Sequence, residues 1–207
     1  MNRVQFLCAR ILRQEAPLAG LSVTQQALLS ALAGKSVAVI GNARALANAT
    51  FGADIDSHDI VIRINRAPMP DAVSHGSKTD WLALATNLSS ADRLRINAAT
   101  YLWMSHKRKR LDWATATSKG FYLHPLAQYH AMKDRLGRQP TTGAMIIDLV
   151  AKSGAREINL YGFDFFSSLS LSGRRTADDV PHDFDAEAQF VRNIAETDQR
   201  VTLHPMK

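Results

Sequence analysis

Downstream of residue 35 the chain alternates short β-rich runs with longer stretches whose apolar positions recur every three to four residues. The runs at 36–40, 59–64, 80–84, 100–104, 119–123, 156–161 and 200–203 predict strands, and the periodic stretches predict helices at 43–49, 90–97, 126–136, 143–152 and 185–197. Strands that alternate with helices in this way predict crossover units and a largely parallel sheet, a single-domain, Rossmann-like α/β fold. Upstream, Phe6, Leu7, Ile11 and Leu12 fall on helical spacing among Arg3, Arg10, Arg13 and Gln14, an amphipathic helix over 3–14. Such a helix can dock on the core, on a partner or on a membrane interface, core packing being the simplest. A second helix is predicted over 22–32, ended at Gly34. Residues 1–34 therefore read as a helical segment packed on or beside a main domain of residues 35–207. The one long irregular stretch, 165–181, is rich in Ser, Gly, Arg and Asp and reads as a lid or a disordered segment.

Three places along this pattern carry candidate chemistry. Residues 37–68 read VAVIGNARALANATFGADIDSHDIVIRINRAP, two buried strands that each end in an asparagine, Asn42 and Asn65. A polar residue straight after a strand of an α/β protein lies at the carboxyl edge of the sheet, where ligands bind. The segment has Gly41 but not the G-x-G-x-x-G spacing that lets a dinucleotide approach the backbone, so a smaller phosphate or sugar contact is expected, unless Asn42 only caps the next helix. Thr141, Thr142 and Gly143 open an apolar helix, whose unsatisfied N–H groups make an anion site; capping by a threonine is the plainer reading. Lastly, His182 can take a proton near neutral pH and is followed by Asp183, Asp185 and Glu187, of which either aspartate also suits a helix cap. The pairs Asp54/Asp56 and Asp183/Asp185 are too few ligands for a hard cation, and His58, His75 and His106 lack zinc spacing, so no metal is assigned.

Composition narrows the partners. The 207 residues suit one core, and 46% hydrophobic with 21% charged residues excludes wholesale disorder. A net charge of +6 favours anionic partners. The run Lys107-Arg108-Lys109-Arg110 reads as a solvated loop, and without an aromatic platform beside it no nucleic-acid partner is expected. The single cysteine, Cys8, excludes an intrachain disulfide and fits a reducing, cytoplasmic compartment. No stretch approaches the roughly 20 apolar residues of a spanning helix, and arginines interrupt the N-terminus where a secretory signal would be apolar. The expectation is a chain that stays in the cytoplasm or touches the inner face of a membrane peripherally.

In their order, these segments resemble the sialyltransferases of glycosyltransferase family 29. Residues 37–68 are similar to that family's long motif, from Gly41-Asn42 through Gly52, Asp54, Asp56 and His58 to Arg63, Asn65, Ala67 and Pro68, and Gly76-Ser77-Lys78-Thr79 extends the likeness. Thr141-Thr142-Gly143 with Asn159-Leu160-Tyr161-Gly162-Phe163 is similar to the short motif, and His182-Asp183 with Glu187 to the very short one. The resemblance implies a GT-A-variant sheet flanked by helices and an enzyme that moves sialic acid, or a related 2-keto acid sugar such as Kdo, from its CMP ester to a glycan or glycolipid acceptor. It implies inversion, no metal and no other cofactor, with His182 as general base. It implies nucleotide and donor contacts from Asn42, Asn65, Thr141, Thr142, Gly143, Phe163, Asp164 and His124. Val37 and Gly154 stand where secreted members pair cysteines, and the family's histidine-aromatic motif between Phe163 and His182 is missing. Arg174, Arg175 or His124 would then supply the cation for the donor phosphate. Asp164 stands where a small residue is usual. The competing reading is a non-catalytic basic module that holds anionic lipid or polysaccharide.

Overall fold

The computed structural model describes residues 1–165 and 182–206. Among them, seven strands form one sheet: β1 (Ser36–Ile40), β2 (Ile60–Ile64), β3 (Trp81–Leu84), β4 (Thr100–Trp103), β5 (Tyr122–Leu123), β6 (Glu157–Tyr161) and β7 (Val201–Leu203). Each falls inside a predicted run. Their order is β5-β4-β3-β2-β1-β6-β7 and every pairing is parallel. The chain thus builds outward from β1 to β5, then crosses back to lay β6 on the other side of β1. That reversal opens a crevice beyond the carboxyl ends of β1 and β6.

The helices are α1 (Arg3–Ile11), α2 (Glu15–Ala19), α3 (Gln25–Ser30), α4 (Gly52–Ser57), α5 (Ala72–His75), α6 (Ser90–Ile96), α7 (Trp113–Ala116), α8 (Leu126–Leu136), α9 (Thr142–Ala151) and α10 (Phe184–Thr197). They cover both faces of the sheet, which is why most strand positions are apolar. Val37 and Val39 of β1 enter one cluster with residues of α3, α8, α9 and α10, while Ala38 and Ile40 face Leu46 and Ile55 on the other side. Further along that second face, Leu82, Leu84 and Trp103 pack against Phe6, Leu18 and Leu111. Helix α9 is buried along nearly its whole length, from Thr142 to Ile147 and at Leu149 and Val150.

Several expectations change. The helix expected over 43–49 is a single 3-10 turn, Arg44–Asn48. The helix expected over 3–14 ends at Ile11, because Arg13 takes a left-handed backbone (φ 56°) before α2 begins. Helices α4, α5 and α7 span six residues or fewer, too short to show a period. The basic run is not a solvated loop throughout: Arg108 is 2% exposed, donates from Nε to Glu15 at 3.0 Å, and reaches the carbonyls of Ser105 and His124 at 2.6 Å each.

Much of the block at 37–68 is framework. Arg63, 1% exposed, donates from Nε to the carbonyl of Lys78 and from Nη2 to that of His75, at 3.0 and 2.7 Å. Burial lowers its pKa to about 10, an effect the nearby Asp56 charge offsets in part. Asp56 in turn accepts the backbone N–H groups of Ser77 and Lys78, and Lys78 Nζ reaches the His58 carbonyl. Gly52 lets α4 and α5 touch, since a Cβ there would lie 1.8 Å from the Ala72 carbonyl oxygen.

Removing the buried guanidinium takes the donor from three acceptors, the carbonyls of Lys78 and His75 and the Thr79 hydroxyl. Arg63→Ala should lower the unfolding free energy by about 3 kcal/mol or more. Arg66→Ala, at an exposed neighbour, should change it by under about 0.5 kcal/mol. Urea titrations measure both, and equal small effects would mean that Arg63 does not hold this block.

Candidate active site

A cavity of about 300 Å³ opens at the carboxyl edge of the sheet, at the lower end of the range usual for ligand sites. Its floor is the crevice beside β1. There Gly41 and Gly162 run so close that a Cβ on Gly41 would lie 2.1 Å from the Gly162 carbonyl oxygen. Gly41 N–H donates to Tyr161 at 2.7 Å and Ala43 N–H to Gly162 at 3.2 Å, which fixes the two strand ends against each other.

Both asparagines line the cavity. Asn42 is not a helix cap: it precedes the Ala43 cap position, and its Nδ2 donates to the Ile64 carbonyl at 3.4 Å, bridging β1 to β2. Asn65 adopts a left-handed backbone (φ 53°), which asparagine tolerates better than most residues. Its Oδ1 accepts the Ala85 N–H at 2.9 Å, so the amide nitrogen is left for another acceptor.

Opposite them stands the N-terminus of α9. Thr141 is its cap, with Oγ1 accepting the Ala144 N–H at 3.1 Å. The same hydroxyl donates to Glu187 Oε2, and Thr141 N–H donates to Glu187 Oε1, both at 2.6 Å. The threonine side chain is therefore occupied within the protein. What α9 presents to the cavity is the positive end of its dipole and the leading N–H groups of Thr142 and Gly143, which have no intrahelical partner. Phe163 follows Gly162 and lays its ring over Gly143. Asp164 and Phe165 complete that wall.

His182 also lines the cavity, straight before Asp183, which caps α10 by accepting the Ala186 N–H at 2.9 Å. Its Nδ1 lies 2.7 Å from the carbonyl oxygen of Gln139. A carbonyl only accepts, so Nδ1 carries the proton and Nε2 keeps its lone pair. Burial lowers the His182 pKa, the Gln139 bond partly opposes this, and the Lys107 charge adds to the lowering. Glu187 behaves oppositely. It is 4% exposed, and burial raises its pKa to about 7 against the pull of the two Thr141 bonds.

The structure keeps His124 out of the cavity. It is 3% exposed beside Tyr122, its carbonyl accepts from Arg108, and burial lowers its pKa to about 4. A neutral, enclosed imidazole cannot supply the missing cation. Arg174, Arg175 and the stretch after Phe165 lie outside the described residues. Asp56 is committed to the Ser77–Lys78 backbone and Asp183 to its cap, and no cluster of metal-ligating side chains occurs among the described residues.

One wall escaped the sequence reading. Ser105 and His106, just beyond β4, and Tyr129 of α8 line the cavity, with His106 and Tyr129 rings 4.5 Å apart at 30°. The rule that points to Asn42 and Asn65, a polar residue straight after a strand, applies equally to Ser105.

Comparison with known proteins places this geometry. The family model for glycosyltransferase family 29 (sialyltransferase) matches residues 14–121, just over half of the chain. The CMP-N-acetylneuraminate-beta-galactosamide-alpha-2,3-sialyltransferase 1 of Gallus gallus is 32% identical over 151 residues, 61% of this chain and 43% of the relative. The chain thus spans less than half the length of that relative. A mammalian sialyltransferase solved with Gal-beta-1-3GalNAc-ortho-nitrophenol superposes with a TM-score of 0.61 at 19% identity, over 99% of this chain and 85% of the other. A variant of the sialyltransferase CstII, a Campylobacter jejuni protein, solved with CMP gives 0.57 at 13% identity, over 82% and 80%. These two likenesses are of fold. With the family match, they join the cavity to the motifs that surround it: the chain belongs to glycosyltransferase family 29, the sialyltransferases.

Proposed function

We propose that this chain transfers sialic acid or a related 2-keto acid sugar such as Kdo from its CMP ester to a hydroxyl of a glycan or glycolipid, with inversion and without a metal. The observation that carries the reading is His182: a half-buried imidazole with its proton tied to Gln139, facing a cavity headed by a helix N-terminus. Nε2 takes the proton from the acceptor hydroxyl as that oxygen attacks the anomeric carbon. The bond from that carbon to the phosphate oxygen breaks, and CMP leaves through an oxocarbenium-like transition state. Asn42, Asn65 and Phe163 hold the nucleotide beside Asp164, and the leading N–H groups of Thr142 and Gly143 meet phosphate or donor carboxylate. One bridging phosphate with a single charge is within reach of amides, hydroxyls and a helix dipole, so a divalent ion is not required. Glu187 is a positioning residue that ties the start of α10, and His182 with it, to α9. The lone cysteine supports a reducing compartment such as the cytoplasm.

Three outcomes follow from this chemistry. His182→Ala should cut turnover by about 10² to 10⁴-fold while calorimetry still detects CMP binding, and full turnover would remove His182 from the role of base. Because its pKa is lowered, the neutral form persists into mild acid. The acid limb of kcat/KM should therefore fall below the ordinary histidine range near 6.5. A donor screen with CMP-sialic acid and CMP-Kdo should show CMP release that EDTA leaves unchanged; a metal requirement would overturn the mechanism.

The Glu187 prediction concerns stability. Its folded pKa of about 7 exceeds the ordinary 4.5, so the folded chain binds the proton more tightly. That contribution is fully present below the unfolded value and is lost as pH rises through the folded one. Glu187→Gln should therefore gain stability relative to wild type between about pH 5 and 8. Glu187→Ala should lose about 1 to 3 kcal/mol at low pH because Thr141 loses its partner. Parallel thermal melts across pH measure both, and a wild-type curve no steeper than that of Glu187→Gln would refute the assignment.

A further inference from the structure

Helix α1 is apolar on two sides. Phe6 and Ala9 are buried on the sheet side, 3% and 2% exposed. On the outward side Val4, Leu7 and Ile11, spaced three and four apart, are 71%, 44% and 51% exposed, and Met1 and Leu12 extend the stripe at 43% and 65%. A helix needs only one apolar stripe to dock on its own core, so the second stripe is surplus to folding. The cations beside it make no ion pair among the described residues. Arg3 and Arg10 share the helix edge toward the 3-10 turn Arg108–Arg110, where Arg10 donates to the Leu111 carbonyl at 3.1 Å. Lys109 and Arg110 of that turn are exposed, as are Arg3 and Arg13, and none of these four makes an ion pair among the described residues. The nearby acids are engaged elsewhere, Glu15 with Arg108 and Asp112 with Arg93.

We propose that this outward stripe, with its rim of Arg3, Arg13, Lys109 and Arg110, docks on an anionic lipid bilayer. The helix lies in the interface plane with Val4, Leu7 and Ile11 among the acyl chains and the cations at the headgroups. Charge selects this occupant. A second copy meeting the stripe across a two-fold axis would bring the same cations against each other, and one narrow helix face falls well short of the roughly 800 Å² per partner of a stable dimer. The turn that carries Lys109 and Arg110 follows Ser105 and His106 directly, so the docked face and the wall of the cavity share one segment of chain.

Flotation with vesicles tests this. The chain should float with mixed phosphatidylcholine and phosphatidylglycerol, should stay in solution with phosphatidylcholine alone, and should be released by added salt. The double variant Leu7→Glu with Ile11→Glu changes only outward positions. It should keep its melting temperature and CMP binding while vesicle partition falls by about tenfold or more. Arg3→Glu with Lys109→Glu should weaken the anionic preference without altering the fold. Cys8 lies exposed on the same helix, and an environment-sensitive fluorophore on it should shift to the blue with anionic vesicles only. Three results would overturn the proposal: no flotation with anionic vesicles, binding that the double variant leaves intact, or a dimer in solution that the double variant splits.

Discussion

A buried carboxylate holds together the two helix starts from which the cavity is made. Glu187 sits inside α10 and grips both the N–H and the hydroxyl of Thr141 at the start of α9. Its burial is costly enough to raise its pKa to about 7, and the two short bonds offset part of that cost. The consequence is geometric. The N-terminus of the most enclosed helix among the described residues is fixed relative to the segment that carries His182, so a helix dipole and an imidazole face one cavity. Gln139, just upstream of Thr141, completes the arrangement by accepting the hydrogen bond from His182 Nδ1–H.

The framework beneath is held by a different device. Arg63, Asp56 and Lys78 exchange hydrogen bonds almost entirely with backbone groups, and so tie α4, β2 and the loop after α5 into one unit. Of the residues that carry the likeness in 37–68, Gly41 shapes the crevice and only Asn42 and Asn65 reach the cavity wall. The family signature in this region is therefore mainly a signature of how the sheet edge is braced.

Electrostatics link the cavity to the outer surface. No lysine or arginine lines the cavity among the described residues. Positive potential comes from the α9 dipole and from Lys107, whose charge adds to the lowering that burial imposes on the pKa of both His106 and His182. The basic run thus divides three ways: the Lys107 charge acts on His106 and His182, Arg108 is a buried clamp, and Lys109 with Arg110 remain exposed.

What the sequence alone determined about this protein is the sheet and the candidate edge. All seven strands were legible because a parallel sheet covered on both faces takes apolar residues at most positions, and Asn42, Asn65 and Thr141 were legible because they stand straight after strands or before a helix. Tertiary structure decided the rest. Nothing local marks Arg108 as buried within a basic run, since its partner Glu15 lies far away in the chain. Nothing local assigns Glu187 to Thr141, or removes His124 from the cavity while adding His106. A strand or a cap is set by its own neighbours. The state of a charged or titratable side chain is set by which distant polar groups the fold brings to it once water has been excluded.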